Sequence, residues 1–216
     1  MSNSDYRFNE KKNVPVSKVL EFEKALYIAA GMLEQDADCV ARTLVEADAR
    51  GTYSHGIQRN GIYLKRFEEG GNDPLGRPET VKQFGATALV DGHNAMGMVV
   101  GEYGMNLAID LAHQYGTSAV SITGSNHFGT CAHYLKMATD AGMIAFVWTI
   151  NCVNIMAPWG GTERQLGNNP FGIGAPCAEK PPVILDMATS VVARGKIVMA
   201  RKTHTQIPED WAIAPD

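Results

Sequence analysis

The chain has 216 residues, 45% of them hydrophobic and 19% charged, with a formal net charge of -4. That length can bury a large core in one large or two small domains. An acidic balance with no basic block excludes a general nucleic-acid binder, and no apolar run of about 18 residues offers a membrane span.

The first 14 residues are polar, mixed in charge and without periodicity, so they read as a mobile tail and not as a signal or transit peptide. Helical periodicity follows over 16–34 and 37–50, the second stretch carrying Leu44 and Val45. Gly51 reads as the stop of that helix and Ser54 as the N-cap of a third, which carries Ile57, Ile62, Tyr63 and Phe67 and ends at Gly70 and Gly71. Residues 72–78 form a Pro/Gly loop and the expected boundary between a helical domain at 15–76 and a second domain at 77–216.

Beyond that loop the pattern alternates. Strands are expected over 81–90, 118–122, 143–150 and 183–185, and helices over 101–115, 130–141 and 188–202. A Gly/Pro-rich loop spans 152–176, and its Trp159 and Phe171 suit a place that buries a flat ring. The alternation invites a Rossmann reading. However, no strand is followed by G-x-G-x-x-G and no phosphate-binding P-loop is present, so a dinucleotide cannot be argued from such motifs.

Three places could carry chemistry. His55 and Arg59, four apart on the expected third helix, would leave one face together. A proton-handling imidazole beside a carboxylate-binding fork suits an acidic substrate, and a capped, solvated surface helix is the plain alternative. Asn126 and His127 lie in a strand-to-helix turn, where ligands commonly bind, though ordinary turn and cap roles fit as well. Asp186 ends a strand before Thr189 and Ser190, where a carboxylate can cap a helix or orient a nearby histidine. No histidine or cysteine spacing favours a metal, and no cysteine sits in a nucleophile motif. Cys39, Cys131, Cys152 and Cys177 read as free thiols of a cytoplasmic protein. His93, His113, His133 and His204 read as surface or packing residues.

Together these stretches resemble the malate/L-lactate dehydrogenase family that is distinct from the Rossmann-fold enzymes, with its ureidoglycolate, sulfolactate and 2,3-diketogulonate oxidoreductase relatives. The resemblance is carried by 49–59 (A-R-G-x-x-S-H-G-I-x-R), 126–129 (N-H-F-G), 157–161, 166–170 and 185–196 (L-D-M-A-T-S-V-V-A-R-G-K), in family order over about 15–212. It implies an α+β fold: a helical domain paired with a non-Rossmann, largely antiparallel sheet domain, assembled as a homodimer. It implies hydride transfer between NAD or NADP and a 2-hydroxy/2-oxo acid.

Residue by residue, His55 matches the proton donor/acceptor with Ser54 beside it, and Arg59 would face the substrate carboxylate. His127 matches a second histidine that some members use as proton acceptor. Asp186, Met187 and Ala188 match the cofactor site, and Asp186 could also polarise His55. Cys152 falls where relatives carry a serine near the nicotinamide. The resemblance further implies that the chain stops before a Gly/Lys-rich cofactor segment and is the N-terminal part of the family fold. Apolar surface of the helical domain is then expected to be uncovered. A truncated, inactive member acting as a binding or dimerising module is the alternative function.

Overall fold

The computed structural model describes residues 13–150 and 153–213. Most of the tail expected over 1–14, and Cys152, lie outside the described residues.

The helical part opens with α1 (Val16–Ala29), which starts directly after Pro15, a residue that cannot donate inside a helix but suits its beginning. Next comes α2 (Glu34–Ala49), with acidic Glu34 and Asp36 in its first turn, where the helix dipole favours negative charge. Its buried Ala37, Val40, Ala41, Leu44 and Val45 recur at three- and four-residue steps, so one face enters the core. That core joins Tyr27, Val40, Leu44, Tyr63, Met96 and Met98. It therefore takes in the start of α4 (Gly97–Tyr115) as well as α1, α2 and α3 (Asn60–Glu68).

Six strands follow. β1 (Glu79–Phe84) and β2 (Thr87–Asp91) form an antiparallel hairpin, and β2 runs parallel to β3 (Ala119–Thr123). β4 (Ala145–Trp148), β5 (Phe171–Ala175) and β6 (Val183–Met187) form a second, antiparallel sheet. Three of the four strand pairings among the described residues are thus antiparallel, as expected of this α+β fold. α5 (Cys131–Asp140) lies across β4, β5 and β6, and α6 (Arg194–Thr203) follows β6.

Four local expectations need correction. The strand expected over 81–90 is a hairpin, turned at Gly85 with φ +53°, a left-handed conformation that glycine adopts at little cost. The loop expected over 152–176 contains β5, whose Gly172 and Gly174 face α5. A Cβ on Gly172 would stand 2.6 Å from Leu135 Cδ1, so the strand needs glycine for close packing. The last helix starts at Arg194 and not near 188. His133, read as a surface or packing residue, is 6% exposed and ion-paired.

His133 pins three helices together. Its Nδ1 lies 2.6 Å from Glu46 Oε2 on α2 and its Nε2 2.9 Å from Glu102 Oε1 on α4. Arg50 holds Glu46 at 2.7 Å and Arg42 holds Glu102 at 3.1 Å. Burial alone would strip the charge from His133, but its hydrogen bonds to Glu102 and Glu46 outweigh that and raise its pKa. Both ring nitrogens face carboxylate oxygens, so each carries a proton.

The second sheet buries only one face. On the other, Phe146, Ile173 and Leu185 form one row across the three strands, and Trp148, Phe171 and Met187 the next. Phe146 and Trp148 stack at 5.7 Å, and both are more than half exposed. The uncovered apolar surface expected on the helices is present at Phe22 and Ile62, but the sheet carries the continuous face. No helix among the described residues is long and apolar enough to cross a membrane.

Candidate active site

The segment carrying His55 is not the regular helix that its spacing predicts. Two 3₁₀ turns, Tyr53–His55 and Ile57–Arg59, are separated by Gly56 in an extended conformation with ψ -155°. That break points the following amides away from Ser54, so the serine caps nothing; its Oγ lies 2.9 Å from His55 Nδ1 instead. Asp48, at the end of α2, holds the break open by accepting the Ile57 amide at 3.0 Å. A Cβ on Gly56 would overlap that carboxylate at 1.9 Å, so a larger residue there would displace Asp48 from the Ile57 amide.

The start of α3 is anchored just as firmly. Asn60 donates to both carboxylate oxygens of buried Glu23 at 2.8 and 2.9 Å and accepts from the Tyr27 hydroxyl at 2.9 Å. This fixes Arg59, whose Nε donates to Ser54 O at 2.7 Å. Among the described residues the two terminal nitrogens of its guanidinium meet no acceptor, leaving four N–H donors of the fork open.

His127 arrives from the other side, in the turn between β3 and α5. Asn126 shapes that turn by donating to Asn94 O, Asn94 Oδ1 and Ala95 O at 3.1, 2.9 and 3.0 Å. Arg66 donates to Asn126 Oδ1 at 2.8 Å and ties the turn to α3. The first residue of α4 passes so close that a Cβ on Gly97 would stand 2.4 Å from His127 O.

The two histidines meet face to face, with ring centroids 5.4 Å apart and planes inclined by 28°. Burial and the Arg59 charge press His55 down to about 4, and burial, Arg59, His55 and Arg66 press His127 down to about 3. Both rings are neutral at physiological pH. Each has its Nδ1 tied to protein, and neither Nε2 has a partner among the described residues. Every fully buried polar side-chain atom among the described residues is hydrogen-bonded, so both Nε2 atoms open to solvent. The arrangement offers a cationic fork and two unspent imidazole edges, which suits an anionic substrate with a proton to give or take.

His55, Ser54, Arg59 and His127 are therefore brought together. Asp186 is engaged elsewhere: its Oδ2 accepts the Ala132 amide at 2.8 Å, capping α5 from β6, and no hydrogen bond joins it to His55. Met187 closes β6 half-exposed opposite Phe171, and Ala188 follows it. Two contributors were not singled out from the sequence. Tyr63 places its hydroxyl 2.7 Å from His127 Nδ1 across 64 residues of chain. Gly195, in the first turn of α6, would drive a Cβ to 2.7 Å from Ser54 Cβ, so α6 begins against the His55 turn. The first was a tyrosine at a helical core position like any other, but a glycine inside a helical stretch can signal close approach.

Residues 14–216 match the family model described as malate/L-lactate dehydrogenase. The chain is 40% identical over 200 residues to the malate dehydrogenase of Pyrococcus abyssi, covering 93% of this chain and 55% of that protein. It is 34% identical to the ureidoglycolate dehydrogenase (NAD(+)) of Escherichia coli O157:H7, covering 85% and 52%. The solved malate dehydrogenase of Pyrococcus horikoshii OT3 superposes with a TM-score of 0.83 at 39% identity, over 86% of this chain and 53% of that one. The chain spans about half the length of the relatives it matches. Matched along nearly all of its own length in both sequence and fold, the chain belongs to the malate/L-lactate dehydrogenase family.

Proposed function

We propose that the chain carries the substrate-binding and proton-handling part of an NAD(P)-dependent oxidoreductase acting on a 2-hydroxy/2-oxo acid. The observation that carries this reading is the pair of neutral, stacked imidazoles with open Nε2 edges beside the open guanidinium of Arg59. Arg59 takes the substrate carboxylate, which holds the reacting carbon in register. The anion also offsets the Arg59 charge that depresses His55, so substrate binding makes His55 a stronger base at the moment it is needed. In the oxidising direction the hydroxyl proton passes to a histidine Nε2, and the carbon loses a hydride as the alcohol becomes a ketone.

The residues present fit a nicotinamide partner by their chemistry. None of the side chains gathered here, Ser54, His55, Arg59 and His127, can itself accept two electrons. The thiol of Cys131, at the start of α5, is buried and pushed up to about 12 by burial and by Asp186. A bound nicotinamide supplies the hydride acceptor. Asp186, Met187 and Ala188 at the end of β6, with Cys152, are the residues proposed to hold it, as NAD or NADP. In this reading residues 15–76 supply His55 and Arg59, while 77–216 supply His127 and the cofactor side. The homodimer belongs to the same proposal and is supported by the uncovered apolar face of β4–β6. A cytoplasmic location is supported by the free thiols of Cys39, Cys131 and Cys177.

The test is turnover of NAD(P)H by the purified chain with malate, lactate or their 2-oxo acids, followed by absorbance, with sedimentation of the same preparation. Turnover that needs the substrate carboxylate, from a dimer, is expected. The absence of both turnover and NAD(P)H binding overturns the reading for this chain and favours the alternative of a binding or dimerising module, which the exposed sheet face also supports.

A further inference from the structure

His127 is met twice on the same atom. The Tyr63 hydroxyl lies 2.7 Å from Nδ1, and the Gly129 amide donates to that nitrogen at 3.3 Å. A backbone N–H can only donate, so Nδ1 must offer its lone pair, and the tyrosine hydroxyl at the shorter distance donates to it as well. The ring is neutral, held so by its burial and by the cationic Arg59 and Arg66 around it. A neutral imidazole carries one N–H, and with Nδ1 accepting, that hydrogen sits on Nε2. Nε2 is the ring nitrogen left without a partner among the described residues and accessible at the surface.

We propose that Tyr63 is a positioning residue that locks His127 as the Nε2–H tautomer, so that His127 donates a hydrogen bond to the substrate oxygen and does not receive its proton. This rests on the hydroxy-acid reading above and divides the labour within it. The hydroxyl proton has no lone pair to enter on His127. His55 is under no such constraint: its Nδ1 faces a serine hydroxyl, which can accept as well as donate. With Nδ1–H given to Ser54 Oγ, the His55 Nε2 lone pair is free to take the proton. His127, meanwhile, steadies the oxygen on which negative charge grows.

Tyr63 suits the task. It is 1% exposed, packed in the helical core, and four residues after Arg59, so the anchored start of α3 sets both the carboxylate fork and the tautomer. Burial, against the pull of Arg59 and Arg66, pushes its hydroxyl up to about 12, so it remains a proton donor throughout the working pH range.

Long-range ¹H–¹⁵N correlation on the ¹⁵N-histidine-labelled chain at neutral pH reads the tautomer directly, with the His127 signals identified by their loss in His127→Gln. The expected spectrum has an unprotonated Nδ1 and a protonated Nε2. In Tyr63→Phe the Nδ1–H form should gain about fivefold, one ordinary hydrogen bond's worth. A proton on Nδ1 in the unmodified chain, or a ratio indifferent to Tyr63→Phe in a folded variant, overturns the proposal. Should Tyr63→Phe not fold, 3-fluorotyrosine incorporation strengthens the same donor. A shift of the His127 Nδ1 resonance is then expected, and an unmoved resonance overturns the proposal. None of these readings needs turnover, so an inactive chain would defeat the hydroxy-acid reading and leave the tautomer standing or falling separately.

Discussion

His127 and His133 stand six residues apart, one in the turn before α5 and the other in its first turn, and they differ in charge: the first is neutral, the second cationic. Both are withdrawn from water, and burial pulls both toward neutrality. His127 faces Arg59, Arg66 and a second imidazole, and nothing anionic offsets them, so it stays neutral. His133 lies between Glu46 and Glu102, so it stays charged and binds three helices together. The difference lies in the partners and not in the burial. A neutral buried histidine is left with an edge to offer a substrate, whereas a charged one is fully spent on the fold.

The largest expected effect breaks the structural member of the pair. His133→Ala leaves Glu46 and Glu102 facing each other without their shared cation, and urea unfolding should show a loss of about 3–5 kcal/mol. A loss well under 1 kcal/mol would mean that Arg42 and Arg50 already satisfy the two carboxylates.

The next effect separates the two site histidines. In an active preparation, His55→Ala should lower kcat on the order of 10²-fold or more, as for loss of a general acid/base. His127→Ala should cost on the order of 10²-fold as well, as for loss of an oxyanion-hole donor. His127→Gln, which keeps an N–H at the same reach, should recover most of that loss. Near-wild-type kcat in His55→Ala, with His127→Gln as dead as His127→Ala, would reverse the roles.

The smallest effect is in pH, and here the pair pulls in opposite directions. His55 and His127 titrate lower in the folded chain than unfolded, near 4 and 3 against about 6.5. Between those values the unfolded chain binds more protons, so stability falls as pH drops below about 6.5, by up to ~1.4 kcal/mol per pH unit per group. His133 titrates higher when folded, so its contribution is complete below about 6.5 and is lost as pH rises through its raised value. Glu46, held near 2 mainly by its hydrogen bond to His133, gives stability that is present above about 4.5 and lost as pH falls toward 2. Denaturant midpoints across pH should peak near neutrality. His133→Ala should flatten the alkaline limb and His127→Ala part of the acid one; unchanged limbs would break the contrast.

What the sequence disclosed follows the range of each signal. Gly51 and Gly70 could be read as stops because a left-handed φ is a local demand, and both have it. β5 was hidden because Gly172 and Gly174 look like loop residues until α5 is seen lying on them. The break at Gly56 depends on Asp48 from the preceding helix, so the regular helix predicted through Ser54 could not foresee it. His55, Arg59 and His127 were legible as types and spacings. Tyr63 and the His133 clamp were not, because their partners lie 64, 87 and 31 residues away.

The bond from Asp186 to the Ala132 amide has a consequence for biosynthesis. The residues it joins are separated by 54 positions, so the first turn of α5 leaves the ribosome long before the carboxylate that caps it. At synthesis rates of about 5–20 residues per second, α5 waits some 3–11 s for its cap. The start of α5, just beyond the turn that carries His127, thus receives this cap only after β6 has been made.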